Sequence, residues 1–375
     1  MPHPATGRSA GHRPWLDGVR GVAVLLVVCS HLGRPSLTGL GALGVAVFFA
    51  LSGYLITGLL LDEHAREGRI RLTDFVVRRA ARLLPALLLM VVVCDALYVA
   101  AGRPEVVPGS VLALLYVANY ATIVAGDYLP GFEHTWSLAI EEQFYLLWPL
   151  ALLVLLPRRP LASLLRVTLL LCAASLAWRC VLVLGLGVGR DGAFAAPELL
   201  LYHGTLERAD ALLYGCAAAL AVRTGWRPRA WLGWCGAGVL VLTPFVPGPR
   251  FAMTVLPALV AVAASALVVA LDHVPGLLRR VLSLAVLARV GVLSYGVYLW
   301  HLPLLLLAYG SGAVGPTGGL VVAFVLTPAV AAASYHGLER PVRAHIMRRC
   351  GRASLAGPPT GTPGAGTLTA GHGTG

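Results

Sequence analysis

Charge is what this chain has least of. Only 12% of its 375 residues are Asp, Glu, Lys or Arg, against 58% that are hydrophobic. Soluble globular domains carry roughly 25% charged residues, so the charge available could not coat the roughly two or three domains that this length allows. A soluble protein is excluded. Lysine is missing altogether, and all 29 basic residues are Arg. That absence, with abundant Ala, Gly, Leu and Val, fits a GC-rich coding sequence of the actinobacterial kind. Paired cysteines are lacking too. The seven Cys are scattered, most of them inside apolar runs, with no Cys-x-x-Cys spacing, so they read as small buried side chains, neither a metal set nor a disulfide framework. No small-residue cleavage site follows the first apolar run, which favours a retained span over a signal peptide. No internal repeat is evident, which counts against a transporter built from repeated halves.

What the chain does have is apolar runs of membrane-crossing length. They lie near 16–33, 39–61, 83–101, 137–156, 164–186, 209–222, 230–247, 252–271, 290–308 and 318–338, close to the roughly 20 residues that a helical span requires. An all-α polytopic membrane domain of about ten spans is expected over residues 15–345. A polar tail, 1–14, precedes it, and a tail rich in Gly, Thr, Pro and Ala, 346–375, follows and is expected to be disordered.

The net charge of +12 would suit nucleic acid, but the arginines sit in short loops between apolar runs, as the positive-inside rule requires. The expected partner is therefore the lipid bilayer, not nucleic acid. Arg66, Arg69, Arg71, Arg78, Arg79 and Arg82 assign the loop after the second run to the cytoplasm. Arg158, Arg159, Arg223, Arg227, Arg229, Arg279, Arg280 and the arginines after Arg340 then fall on the same side. The segment 109–126 is flanked on both sides by loops poor in Arg, so it is expected to be re-entrant or interfacial. Both termini come out cytoplasmic.

Ionisable groups within apolar runs are costly and read as functional. Arg20 and His31 are eleven positions apart in the first run, close to three helical turns and roughly 16 Å, so both face one side of the helix. Arg20 is then near the inner surface and His31 near the outer one. Intramembrane Arg, His, Glu and Asp also mark proton-coupled transporters, which is the alternative reading.

These residues open a series of motifs. Arg20 and His31 are followed by Phe48-Phe49-Ala50-Leu51-Ser52-Gly53-Tyr54-Leu55 and Arg79-Ala80-Ala81-Arg82-Leu83-Leu84-Pro85. Next come His134-Thr135-Trp136-Ser137-Leu138-Ala139-Ile140-Glu141-Glu142-Gln143-Phe144-Tyr145 and Arg208-Ala209-Asp210-Ala211-Leu212-Leu213-Tyr214-Gly215. Ser294-Tyr295-Gly296-Val297-Tyr298-Leu299-Trp300-His301-Leu302-Pro303 and Glu339-Arg340-Pro341 complete the order. In this order they resemble the acyltransferase-3 family of integral-membrane O-acyltransferases, over residues 12–345 or so.

The resemblance implies transfer of an acyl group, acetyl in the first instance, from acyl-CoA to a sugar hydroxyl in the bacterial cytoplasmic membrane. The acceptor is either a cell-surface glycan or a glycosylated secondary metabolite such as a macrolide antibiotic. No fused extracellular domain, metal or permanently bound cofactor is expected; acyl-CoA is a co-substrate. His31 is the expected general base, its ordinary pKa near 6.5 suiting proton transfer. Arg20, Arg79 and Arg82 are the expected donor-phosphate residues, although such clusters equally set topology or bind lipid headgroups.

Glu141 and Glu142 are expected at the outer end of their span, level with His31, with Glu141 the one in the chemistry. His301 is a second acid–base residue or a core histidine. Arg208 and Asp210 either pair with each other or serve the acceptor, with Tyr295 and Ser137 as further polar support. Asp95 and Arg179 either form a buried pair or face a water-filled cavity, and Gly41, Gly44 and Gly53 are expected to let helices approach closely. Direct transfer through a ternary complex is the preferred form, with a covalent acyl-histidine as the alternative that sequence does not separate from it.

Overall fold

The computed structural model describes residues 13–125, 131–185, 196–245, 249–310, 312 and 314–355. Every longer regular element among them is a helix, and none is a strand. In chain order these are α1 (Pro14–Ser30), α2 (Thr38–Glu67), α3 (Leu72–Ala100), α4 (Val107–Leu114), α5 (Ala118–Ala125), α6 (Trp136–Leu155), α7 (Leu161–Cys180), α8 (Ala196–His203) and α9 (Thr205–Arg223). They continue with α10 (Ala230–Leu242), α11 (Pro249–Met253), α12 (Val255–His273), α13 (Leu277–Leu282), α14 (Ala285–Val292), α15 (Ser294–Gly310), α16 (Pro316–Val321), α17 (Thr327–Ser334) and α18 (Arg340–Leu355).

Among the described residues, six helical stretches are long and apolar enough to cross a bilayer: Pro35–Glu67, Leu72–Ala100, Glu133–Leu155, Leu161–Gly185, Val255–His273 and Pro316–Arg348. The pair α14 and α15, bent by 70°, would make a seventh. Large apolar side chains such as Leu146, Leu147 and Leu170 point outward, as lipid-facing residues do. The chain is thus an all-helical, multi-pass membrane protein. The expected count of about ten is reached if the shorter α1 and α10 and the more polar α9 cross as well. Helix α9 misses the set because Glu207, Arg208 and Asp210 crowd its first turns.

The segment 109–126 is not one helix. Helices α4 and α5 have eight residues each, about 12 Å apiece, and break at Tyr116, whose φ of 55° is left-handed. Neither reaches across a hydrocarbon core of roughly 30 Å. Most of the expected tails, 1–12 and 356–375, lie outside the described residues. Up to Leu355, however, the C-terminal tail region is helical, because α18 runs on through it; Met347, Arg348, Ala353 and Leu355 all have good helix propensity.

Helix α2 is central, packing along α1, α9 and α12, while α1 also packs on α14. The approach of α2 to α9 depends on two glycines. A Cβ at Gly53 would overlap the Leu212 carbonyl oxygen, and one at Gly215 would overlap that of Ala50, so only hydrogen fits at the crossing.

The end of the bundle where α2 and α9 finish is rich in arginine: Arg66, Arg69, Arg223, Arg227 and Arg229 lie there. Arg78 pairs with Glu63 at 3.3 Å, Arg223 with Asp62 at 2.6 Å and Arg13 with Asp272 at 3.1 Å, all at the end where α2 and α9 finish. We call this the basic end, and the opposite one the far end.

Asp95 and Arg179 do not pair. Helix α7 packs on α9, so Arg179, wholly buried, donates to Asp210 at 2.5 Å and to the carbonyls of Glu207 (2.5 Å) and Thr254 (3.2 Å). Asp95 instead accepts from Ser110 at 2.7 Å. Asp210 is therefore not the partner of Arg208.

Candidate active site

Two clusters meet inside the bundle. Nearer the basic end is a cavity lined by Arg20 of α1, Ser52 of α2, Arg79 and Arg82 of α3, Glu141 and Tyr145 of α6, and Tyr295 of α15. The expected arginine trio does share this cavity, but its members are in different situations. Arg79 lies 3.4 Å over the Tyr145 ring, donates from Nε to Glu142 at 2.9 Å and stands 3.8 Å from Glu141. Ser52 donates to the other oxygen of Glu141 at 2.8 Å. Arg20 meets Asp17 at 3.4 Å. Arg82 has no ion pair or hydrogen bond to any described residue, and the charges acting on it include those of Arg20, Arg79 and Arg343. Glu339, held by the Ser334 hydroxyl at 2.9 Å, feels its field without pairing to it. Tyr295 caps the wall by donating to the Leu83 carbonyl at 3.0 Å.

The second cluster is made of imidazoles. His31 ends α1, His134 sits in the turn before α6, and His301 is in the middle of α15. Ring centroids are 5.0 Å apart for His31 and His301, and 5.3 Å for His134 and His301. Each ring has one nitrogen on a backbone carbonyl: His31 Nδ1 on Val27 at 2.9 Å, His301 Nδ1 on Tyr298 at 2.6 Å, and His134 Nε2 on Leu299 at 3.1 Å. A carbonyl can only accept, so these nitrogens carry the hydrogens. In the neutral rings the lone pairs fall on His31 Nε2, His301 Nε2 and His134 Nδ1. Of these, the His301 and His134 nitrogens are enclosed without partners.

Ser137 and Tyr298 join the two clusters. Both line the cavity, and their hydroxyls are 2.6 Å apart. Tyr298 also donates to the His134 carbonyl at 2.6 Å, and its ring centroid is 5.5 Å from those of His134 and His301. None of the three imidazoles is in the cavity wall itself; Tyr298, which is, has His134 and His301 against its ring, and His301 in turn has His31.

The glutamates are where the expected layout needs correction. The level of His31 is occupied by His134, because the turn that opens α6 comes at Glu133–Thr135. Glu141 and Glu142 follow seven and eight residues later, about 10 Å further along the axis, where they meet Arg79. His134 opens the motif quoted above, yet received no role. Its place ahead of the helix, one turn before Ser137, was the available signal. Arg208 and Asp210 lie apart from both clusters, Asp210 with Arg179, Arg208 over the rings of Trp136 and Tyr202. No three His, Cys, Asp or Glu side chains among the described residues are arranged to hold a metal ion.

A multi-pass helical membrane protein whose basic cavity adjoins a cluster of three imidazoles is the class these features define. Comparison with known proteins supplies the family: a family model described as an acyltransferase domain matches residues 13–336, and the chain belongs to that acyltransferase-3 family. It is 32% identical to the O-acetyltransferase OatA of Staphylococcus aureus over 364 residues, covering 89% of this chain and 58% of that protein. It is 33% identical to the peptidoglycan O-acetyltransferase OatA of Listeria monocytogenes over 329 residues, covering 80% of this chain and 51% of that protein. The chain thus spans little more than half the length of these relatives. No solved structure matches it significantly.

Proposed function

We propose that the chain is a membrane O-acyltransferase that moves an acetyl group from acyl-CoA, bound at the basic end, to a sugar hydroxyl presented at the far end. The observation that carries this reading is the continuity of the site: an unpaired Arg82 beside Arg20 at one end of a cavity, and Ser137 and Tyr298 against the imidazoles at the other. Arg82 and Arg20 supply positive charge for donor phosphates. Arg79, neutralised by two carboxylates, holds α3 to α6 and so fixes the cavity wall. His31 Nε2, left bare by the Val27 carbonyl on Nδ1, takes the proton of the acceptor hydroxyl as its oxygen attacks the thioester carbonyl. Collapse of the tetrahedral adduct breaks the carbon–sulfur bond, and the departing thiolate takes up the proton. His301 and His134 surround this step, and His301 is the second acid–base candidate.

The Listeria relative, a peptidoglycan O-acetyltransferase by name, favours a cell-wall glycan as acceptor over a glycosylated metabolite. Family membership favours chemistry over transport. The test is incubation of membranes containing the protein with labelled acetyl-CoA and peptidoglycan fragments. Labelled glycan and consumed thioester are expected, and His31→Ala should abolish both while the protein still inserts. Label retained with His31→Ala removes His31 from the chemistry. Acceptor crossing the membrane unmodified would restore the transporter reading.

A further inference from the structure

One charged side chain toward the far end takes no part in the steps above. Arg208 is only 6% exposed. Its guanidinium lies 5.2 Å from the centre of the Tyr202 ring and 5.8 Å from that of Trp136, and its Nε is enclosed with no hydrogen-bond partner. The acid two residues on, Asp210, acts on this charge from a distance but is bonded to Arg179, and Glu207 accepts from the Trp178 indole at 2.8 Å. No carboxylate, carbonyl or hydroxyl of any described residue meets the Arg208 guanidinium. A guanidinium withdrawn from water without a bonded counter-charge is disfavoured, and aromatic faces and an acid shared with Arg179 compensate for that only in part. An anion would complete the arrangement.

Position and charge indicate which anion. Trp136 follows His134 by two residues, so Arg208 is stacked on the segment that carries one of the imidazoles. Helix α9 runs from this point to Arg223 at the basic end, roughly 22 Å away at 1.5 Å per residue. Donor phosphates proposed at the basic end are therefore remote, and the anion belongs with the acceptor. One unpaired guanidinium balances one negative charge, and its planar fork matches a carboxylate. A phosphate or diphosphate would call for more positive charge than this single Arg provides. We propose that Arg208 holds a carboxylate carried by the sugar acceptor, thereby selecting acidic glycans and turning the acceptor hydroxyl toward the imidazoles. This rests on the acyltransferase reading above.

The test uses the full chain in lipid vesicles with acetyl-CoA and two acceptors, an N-acetylmuramic-acid-containing disaccharide with its lactyl carboxylate free and the same disaccharide as the carboxamide. The acid should be used with a kcat/KM roughly tenfold or more above the amide, the size expected of one charge-assisted contact. Arg208→Gln should bring the acid down to the level of the amide, and Arg208→Lys should keep part of the preference. Equal use of the two acceptors by the unaltered protein overturns the proposal, as does Arg208→Gln lowering both by the same factor. Absence of transfer to either acceptor would instead tell against the acyltransferase reading. Quenching of tryptophan fluorescence by each disaccharide, read without donor, then decides on the subsite: tighter binding of the acid supports it, equal binding overturns it.

Discussion

Arg79 and Arg82 stand three residues apart on one helix and do different things. Arg79 is stacked on Tyr145 and bonded to Glu142, with Glu141 beside it, so its charge is already balanced. Arg82 has no such partner, and the charges around it are mostly other arginines. The positive charge free to meet a phosphate is therefore on Arg82. Losing a hydrogen bond to a charged group costs about 1.5–3 kcal/mol, so Arg82→Gln should raise the Michaelis constant for acyl-CoA by roughly tenfold or more. Rates measured against acyl-CoA at fixed acceptor, and against acceptor at fixed acyl-CoA, check this. Equal changes in both constants would count against a donor role. Among the histidines the division is set by backbone carbonyls, which hold a hydrogen on one nitrogen of each ring and leave the other bare.

At the scale of elements, the crossing of α2 and α9 sets the site. Ser52 and Gly53 are neighbours on α2: the serine reaches Glu141 while the glycine lets α9 come close. Larger residues at such a contact force the backbones apart at a cost of about 1–3 kcal/mol. Gly53→Val should accordingly lower the thermal aggregation midpoint of the detergent-solubilised protein and weaken activity with it. Gly58, with nothing within 4 Å of a built Cβ, is the control, and Gly58→Ala should leave the midpoint in place. If both substitutions act alike, the close approach is not what holds α2 to α9. The start of α6 matters in the same way. Because its first turn comes at Glu133–Thr135, His134 joins the imidazoles and the two glutamates fall to the level of Arg79.

Across the whole molecule, the basic cavity and the imidazoles occupy successive levels of one bundle, and the proposed function has donor and acceptor meeting from opposite ends. Sealed vesicles of known orientation test this. Acyl-CoA supplied to the face that bears Arg66, Arg69 and Arg71 should support acylation of a glycan held on the other face, and acyl-CoA supplied to the glycan's own face should not. Equal rates in both arrangements would mean that the two substrates share one entrance.

Composition and hydropathy alone determined that this protein is helical and lives in a bilayer, because both properties depend on runs of neighbouring residues. The shared face of Arg20 and His31 was legible for the same reason, as helical periodicity acts within one element. Which side chains meet across elements was decided only by tertiary structure. Arg179 chose Asp210 over Asp95, Glu142 went to Arg79, and Arg208 was left with aromatic rings and no acid. Those choices turn on helix depth and on where small residues let helices touch. Hydropathy places the start of α6 to within a residue, but not the depth at which a partner helix meets it: Glu141 and Glu142 lie more than a turn inside α6, about 10 Å beyond His134, and so meet Arg79.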